Sequence, residues 1–359
     1  MADKKGTGGP NDMPGMGNTA PAPDETYTIR RFRPNDAPGV TQCVRETYGE
    51  SYPGGYLYDP PQIIERNSTG RLISVVAVSD ATGEIAGYGA VERYDSGTTA
   101  ESGQDIVAPA HRGRSLMGRM VAFLDEEAIR VGLRRLMGHP VTSHTATQII
   151  TERQGWKICG LALGSMPDTL DFKNITGVVA QRESCLVATK FLVPPGPVIV
   201  CAPSHHRGMI ERIYAEIERP AVFQAFSPIS GHGEIAVSTN PSWGTGDIHV
   251  RRAGPDTPAA INKCLTDLCT KGSCAVVYLE LPFDRAGADE ICRTAEDIGF
   301  FFAAVGPSSV ADGMDSLYLQ YLNTELNLSY IQIAAPFAKQ IFEYVAKERK
   351  RVGATGHYG

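Results

Sequence analysis

Val107-Ala108-Pro109-Ala110-His111-Arg112-Gly113-Arg114-Ser115-Leu116-Met117-Gly118-Arg119-Met120 is the stretch from which the rest of this chain can be read. It reads as a strand end, a basic glycine-containing turn and the start of an amphipathic helix. Leu116, Met117, Met120, Phe123, Leu124 and Ile129 form an apolar stripe at helical spacing, and Ser115 stands where a capping hydroxyl belongs. A strand-turn-helix junction turns backbone N–H groups and the positive end of the helix dipole outward, the geometry that cradles a pyrophosphate. Arg112 and Arg114 add full charges. The same residues also suit an ordinary strand-to-helix connection with solvated arginines.

The chain has 359 residues, a length that suits two domains. Its composition, 42% hydrophobic and 21% charged, is that of a globular protein. A net charge of -6 argues against a broad nucleic-acid footprint. The basic run Lys347-Glu348-Arg349-Lys350-Arg351 reads as a solvated helix end. No apolar stretch approaches the roughly 18 residues of a bilayer span, so no membrane partner is expected. Residues 1–25 are rich in Gly, Pro, Met and Asp and lack an apolar h-region. They read as a disordered tail rather than a signal peptide, which points to a cytoplasmic chain. Most of the eight cysteines lie in apolar runs and pack as small hydrophobes. The spacing of Cys264, Cys269 and Cys274 lacks a C-x-x-C pair, and no metal is expected.

Periodicity predicts a strand over Tyr27–Phe32, a helix over Ala37–Gly49, an aromatic turn at Tyr52–Tyr58 and a short helix from Pro61. Leu72–Val78 and Ile85–Tyr94 read as strands joined by the turn Asp80-Ala81-Thr82-Gly83. Glu101–Val107 is a fourth strand, and Ser115–Val131 is the amphipathic helix. A strand at Leu133–Met137, a helix at Thr145–Gln154 and strands at Trp156–Leu163 and Glu183–Phe191 follow. Leu192-Val193-Pro194-Pro195-Gly196-Pro197 is a linker signal. Beyond it lie a strand (Val198–Ala202), a helix (Gly208–Ile217) and strands near Gly233–Val237 and Ile248–Arg251. The helix Thr257–Thr270, strand Ala275–Leu281, helix Asp289–Asp297, strands Phe300–Val305 and Leu317–Leu322 and a final helix Pro336–Arg349 complete the order.

The stretch from Val107 resembles the acetyl-CoA pyrophosphate loop of the GNAT acetyltransferase superfamily, V-x-P-x-x-R-G-x-G-x-G. Val107, Pro109, Arg112 and Gly113 match in register; Ser115 and Met117 replace the later glycines, and Gly118 falls one residue late. The element order over residues 26–194 also resembles that of a GNAT domain. The order over 257–322 resembles the second half of one, with Gly155-Trp156 and Gly299-Phe300 at corresponding places. The resemblance implies an α/β (α+β) GNAT fold, a mixed central sheet flanked by helices. It implies two such domains in tandem, over 26–194 and, diverged, over 195–359. Arg251-Arg252-Ala253-Gly254-Pro255 stands where the second domain would need its loop, so that domain is expected to hold no cofactor. Ser204-His205-His206-Arg207-Gly208 imitates the loop after the wrong strand.

The resemblance further implies an acyl-CoA-dependent N-acetyltransferase that moves an acetyl group from acetyl-CoA to a small-molecule or peptide amine. It places a catalytic base at Glu101. By strand alternation, Asp105 would share its face. Main-chain groups of Ile106, Val107 and Ala108 would meet the thioester and pantetheine. Arg112, Gly113, Arg114, Ser115, Met117 and Gly118 would hold the pyrophosphate. His144 falls on a CoA-contacting position and could contact the cofactor or cap the helix at Thr145. Thr151 falls where the family places an acidic tyrosine, and it cannot serve as that acid. Tyr52, Tyr56 and Tyr58 line the acceptor loop, where they could hold an apolar or cationic acceptor or pack on the core. The alternatives are a noncatalytic acyl-CoA-binding sensor or docking protein, or acyl transfer to a hydroxyl. A homodimer is a further partner expectation.

Overall fold

Leu72–Ser79 and Ile85–Arg93 are near-continuous apolar runs because helices cover both of their faces. The computed structural model describes residues 26–355 except 51, 53, 94–96, 169–170, 173–176, 179–180, 226–228, 230 and 284–286, so the expected tail at 1–25 lies outside the described residues. The first half runs Tyr27–Arg31 (β1), Ala37–Tyr48 (α1), Pro60–Ser68 (α2), Leu72–Ser79 (β2), Ile85–Arg93 (β3) and Thr99–Val107 (β4). Leu116–Arg130 (α3), Arg135–Gly138 (β5), Ala146–Arg153 (α4) and Lys157–Met166 (β6) come next. The short strands Asp171–Phe172 (β7) and Gly177–Val178 (β8) precede Glu183–Phe191 (β9). The second half opens with Val198–Val200 (β10), Arg207–Glu216 (α5), Ala221–Phe223 (β11), Glu234–Asn240 (β12) and Thr245–Arg252 (β13). It continues through Thr257–Thr270 (α6), Val276–Pro282 (β14), Ala288–Asp297 (α7), Phe301–Pro307 (β15), Asp315–Leu322 (β16) and Pro336–Thr355 (α8). The pairs β7–β8 and β10–β11, each a small sheet of its own, are additions to the expected order in that β7, β8 and β11 have no counterpart in it.

Twelve strands form one mixed sheet in the order β1-β2-β3-β4-β5-β9-β6-β15-β16-β14-β13-β12. Within it β4–β5 and β13–β14 are parallel, and the other pairs are antiparallel. The order β12-β13-β14-β16-β15 therefore repeats β3-β4-β5-β9-β6, parallel pair included. Helices α4 and α7 also end alike. Gly155 (φ 82°) and Gly299 (φ 100°) take the left-handed region that a side chain disfavours. The following N–H groups, of Trp156 and Phe300, donate back to the carbonyls of Thr151 and Ala295. Both aromatic rings are buried.

The two halves meet where β6 and β15 pair through Gly160 and Ala304. A Cβ on Gly160 would stand 2.2 Å from the Cβ of Ala304 and 2.6 Å from the Ala303 carbonyl oxygen. Beyond that pair the buried side-chain amide of Gln320, on β16, bridges the strands. It accepts from the Leu163 N–H at 2.8 Å and donates to the carbonyls of Leu161 (3.0 Å) and Phe302 (3.1 Å). Nearby, buried Asp315 takes Arg135 at 2.5 Å, Arg219 at 2.8 Å and the Tyr214 hydroxyl at 2.8 Å. Two buried guanidiniums thus share this one carboxylate, and both also lie over the Phe191 ring. One apolar cluster runs from Met137, Leu161 and Leu186 into Leu279, Phe302 and Leu319, and α8 packs on both β6 and β15. No helix among the described residues is long and apolar enough to cross a membrane.

Candidate active site

The basic turn folds as a strand end, a one-turn helix over Pro109–His111 and then α3. Tyr27 of β1 anchors it. Its hydroxyl lies 2.9 Å from Nδ1 of His111, its carbonyl accepts from Arg119 at 2.7 Å, and its ring lies under Arg114 at 5.4 Å. Arg112, Gly113 and Ser115 are exposed, and Arg112 Nε donates weakly to the Val107 carbonyl at 3.4 Å. Ser115 takes φ 57°, a left-handed conformation, and its hydroxyl makes no capping bond to α3, contrary to the expected cap. That backbone explains why the family pattern puts glycine at this position. Leu116 and Met120 point into the core, Met117 is half-buried, and around exposed Gly118 there is open space. As at any helix start, the first-turn N–H groups of α3 lack intrahelical acceptors.

Strand β4 departs from simple alternation. Gln104 has φ 63°, and the pairing with β3 slips between Tyr88 and Ala90. One residue is inserted, so every side chain beyond it changes face. Ala100 packs in the cluster under α3 and Ile106 in the cluster under α1 and α2. The expectation that Asp105 shares the face of Glu101 is therefore wrong. Asp105 turns toward α3 and Leu124. There burial, with the Asp125 charge beside it, pushes its carboxyl up to about 7.

Glu101 faces the other side. It sits where the parallel pairing of β4 with β5 ends, opposite Met137. Its Oε1 lies 3.1 Å from Nδ1 of His139, in the turn after β5. The Glu101 side chain is 46% exposed and that of His139 31% exposed. Burial opposes the charged form of each, and the mutual charge and hydrogen bond outweigh it. Glu101 is held below, and His139 above, its ordinary value. His139 was missed from the sequence. The available signal was a histidine two residues past the position that pairs with Glu101, at the end of the neighbouring parallel strand.

Beyond Glu101, β4 is paired on the β3 side only. The Ala108 N–H is already donated to the Ala86 carbonyl at 3.0 Å, which removes Ala108 from the expected main-chain donors. Alternation along the ladder leaves Val107 to face the gap, while Ile106 is buried. Tyrosines crowd the same side. The Tyr48 and Tyr52 rings are 5.0 Å apart, Tyr52 N–H donates to the Tyr58 hydroxyl at 3.0 Å, and Arg66 stacks on Tyr56 at 4.0 Å. Burial pushes the Tyr48 phenol up to about 12 and raises Tyr52, Tyr56 and Tyr58 as well, so all four stay protonated. His144 lies in the turn before α4, where Thr145 and not His144 is the N-cap residue; burial holds the imidazole below its ordinary value, against Glu183. The Thr151 hydroxyl donates to the Thr147 carbonyl at 2.8 Å and is spent within α4.

The second half carries its own acid–imidazole pair between parallel strands. His249 of β13 lies 2.7 Å from Glu280 of β14. Glu280 is buried and also accepts from Ser308, Ser316 and the Ser309 hydroxyl and N–H. The start of α6 is filled by its own chain. The Asp256 carboxylate accepts from the Gly233 N–H at 2.7 Å, and a Cβ on Gly254 would stand 2.2 Å from the Gly233 nitrogen. Two surface concavities, one around Leu326 and Arg349 and one around Pro194–Pro197, are lined by none of the four residues of the acid–imidazole pairs.

Residues 39–156 match the family model of the Acetyltransferase (GNAT) family. No curated protein sequence matches the chain. Among solved structures it is similar to an N-acetyltransferase from Staphylococcus aureus, at 13% identity and a TM-score of 0.38, over 47% of this chain and 99% of that one. The Escherichia coli ribosomal-protein-S18-alanine N-acetyltransferase aligns at 14% identity and a TM-score of 0.38, over 48% and 97%. An aminoglycoside 6'-N-acetyltransferase complexed with coenzyme A aligns at 17% identity and a TM-score of 0.36, over 46% and 98%.

Proposed function

We propose that the first half is an acetyl-CoA-dependent N-acetyltransferase acting on an amine, and that residues 195–359 are a diverged second copy of the same fold that shapes the molecule without binding a cofactor. The Glu101–His139 pair at the end of the β4–β5 pairing carries this reading. An amine acceptor is mostly protonated at neutral pH and must lose a proton before it can attack. The carboxylate of Glu101 is the weaker base of the pair. By raising the proton affinity of His139 it makes the imidazole the better acceptor, and the two titrate as a unit. The amine nitrogen then bonds to the thioester carbonyl carbon and the C–S bond breaks. The first proton, lost before attack, stays on the pair; the second, lost as the amide forms, goes to the departing sulfur, which leaves as the free thiol. The Val107 N–H, on the side of β4 that faces the gap, suits the carbonyl oxygen. Arg112, Arg114 and the first turn of α3 suit the pyrophosphate. The tyrosine wall with Glu101 suits a cationic acceptor.

The spent hydroxyl of Thr151 supports a second reading, an acyl-CoA-binding protein that does not turn over. Incubating the full chain with acetyl-CoA and a panel of amines, and following release of free thiol, separates the two. Amine-dependent thiol release supports the enzyme. Binding of acetyl-CoA that Arg112→Ala abolishes, without turnover of any amine, supports the second reading.

A further inference from the structure

The motif Ser204-His205-His206-Arg207-Gly208 has no part in the site above. Its two histidines stand at the start of α5, where they meet the last turn of α7 and the third helical layer, α8. His205 Nε2 lies 2.8 Å from Glu348 on α8, and His206 Nε2 lies 2.9 Å from Glu296 on α7. One ligand atom from each of His205, His206, Glu296 and Glu348 falls within 4.8 Å of all the others. Three of the four residues are buried. We propose that these residues form a structural site for a divalent transition metal of the zinc class, clamping α5, α7 and α8 together. This departs from the sequence expectation of no metal.

Three observations converge on it. The first is the state of His206, which is fully buried. Its Nδ1 lies 2.7 Å from the Tyr344 hydroxyl. Its Nε2 makes no aligned hydrogen bond despite the nearby carboxylate. With Nδ1 held by the Tyr344 hydroxyl, Nε2 is the ring nitrogen turned toward the carboxylates, 2.9 Å from Glu296. Nε2 is aimed into the cluster while Nδ1 meets an outer partner, the arrangement in which such a partner orients a metal-ligating imidazole. The second is charge. Two buried carboxylates share one guanidinium, that of Arg351, at 2.5 Å from Glu296 and 2.7 Å from Glu348. One negative charge is left for another cation. Arg351 is itself 34% exposed on α8 and can swing to solvent as a metal enters. The third is chemistry: two imidazoles and two carboxylates are a tetrahedral donor set for zinc, with all positions supplied by protein. His205, 47% exposed, gives the ion its way in.

Equilibrium dialysis of the full chain against zinc chloride tests this, with His205→Ala and Glu348→Gln alongside. The expected result is one zinc ion per chain in the wild type and an affinity at least tenfold weaker in each variant. Cobalt in place of zinc should give the intense visible bands of four-coordinate geometry. His205 is half-exposed, so its variant folds and decides the matter even where Glu348→Gln does not. Zinc that fails to bind the wild type, or that binds His205→Ala equally well, overturns the proposal.

Discussion

The two halves of this molecule share a strand order and a helix ending but differ in what their acid–imidazole pairs are free to do. Glu101 is about half exposed and, among the described residues, has one side-chain partner, His139. Glu280 is 1% exposed and answers to a histidine and three serines. A carboxylate with every lone pair occupied holds strands together, whereas one with lone pairs to spare can take part in a proton transfer. The helix starts differ in the same sense. Around Gly113 there is open space, while Gly254 meets the backbone of Gly233. The same scaffold is thus open at one end and closed at the other.

The comparison can be broken most severely at the join. Gly160→Val drives a side chain into Ala304 and the Ala303 carbonyl, and should cost about 3 kcal/mol or more. Urea unfolding would register it; a wild-type midpoint would mean that the halves do not pair through these residues. Glu101→Gln should lower turnover roughly 100-fold and leave the melting temperature alone, while His249→Asn should leave turnover unchanged. The pH profile sharpens the point. Turnover needs neutral His139, so it should rise with pH through a value above 6.5, and that rise should move to lower pH in Glu101→Gln. Equal losses from the two halves would erase the distinction.

Asp105→Asn probes the face that the bulge exchanged. The folded carboxyl titrates near about 7 against an ordinary 3.8, so between those values only the unfolded chain is ionised. Folding then takes up a proton, and wild-type stability falls as pH rises through that window. The variant should gain roughly 1–3 kcal/mol over the wild type between pH 4 and pH 8, read by thermal melts at each pH. A gap independent of pH would place Asp105 in water. The smallest effect belongs to Ser115→Gly, which relieves a left-handed serine and should stabilise by about 0.5–1 kcal/mol in the same melts. A loss would show that Ser115 supplies a bond at the loop.

The helices and strands of both halves were legible because their apolar periods are strong; α6 falls at Thr257–Thr270 as its pattern predicts. Glu101 was nominated through family register. The orientation of Asp105 was not, because a single left-handed Gln104 reverses the parity on which alternation depends. His139 was hidden because its meaning lies in a parallel neighbour thirty-odd residues away, and only the pairing of Glu101 with Met137 discloses it. The two-residue strands β7 and β8 are too short to leave a periodic mark.

The join at Gly160 has a consequence for how such a chain survives outside its own fold. Strands β6 and β15 are each the terminal strand of their half, and either alone would present a row of unpaired backbone groups, a template for association with other chains. Joined edge to edge, each half serves as the other's edge protection, and among the described residues the twelve-stranded sheet is left with two raw edges, β1 and β12, in place of four.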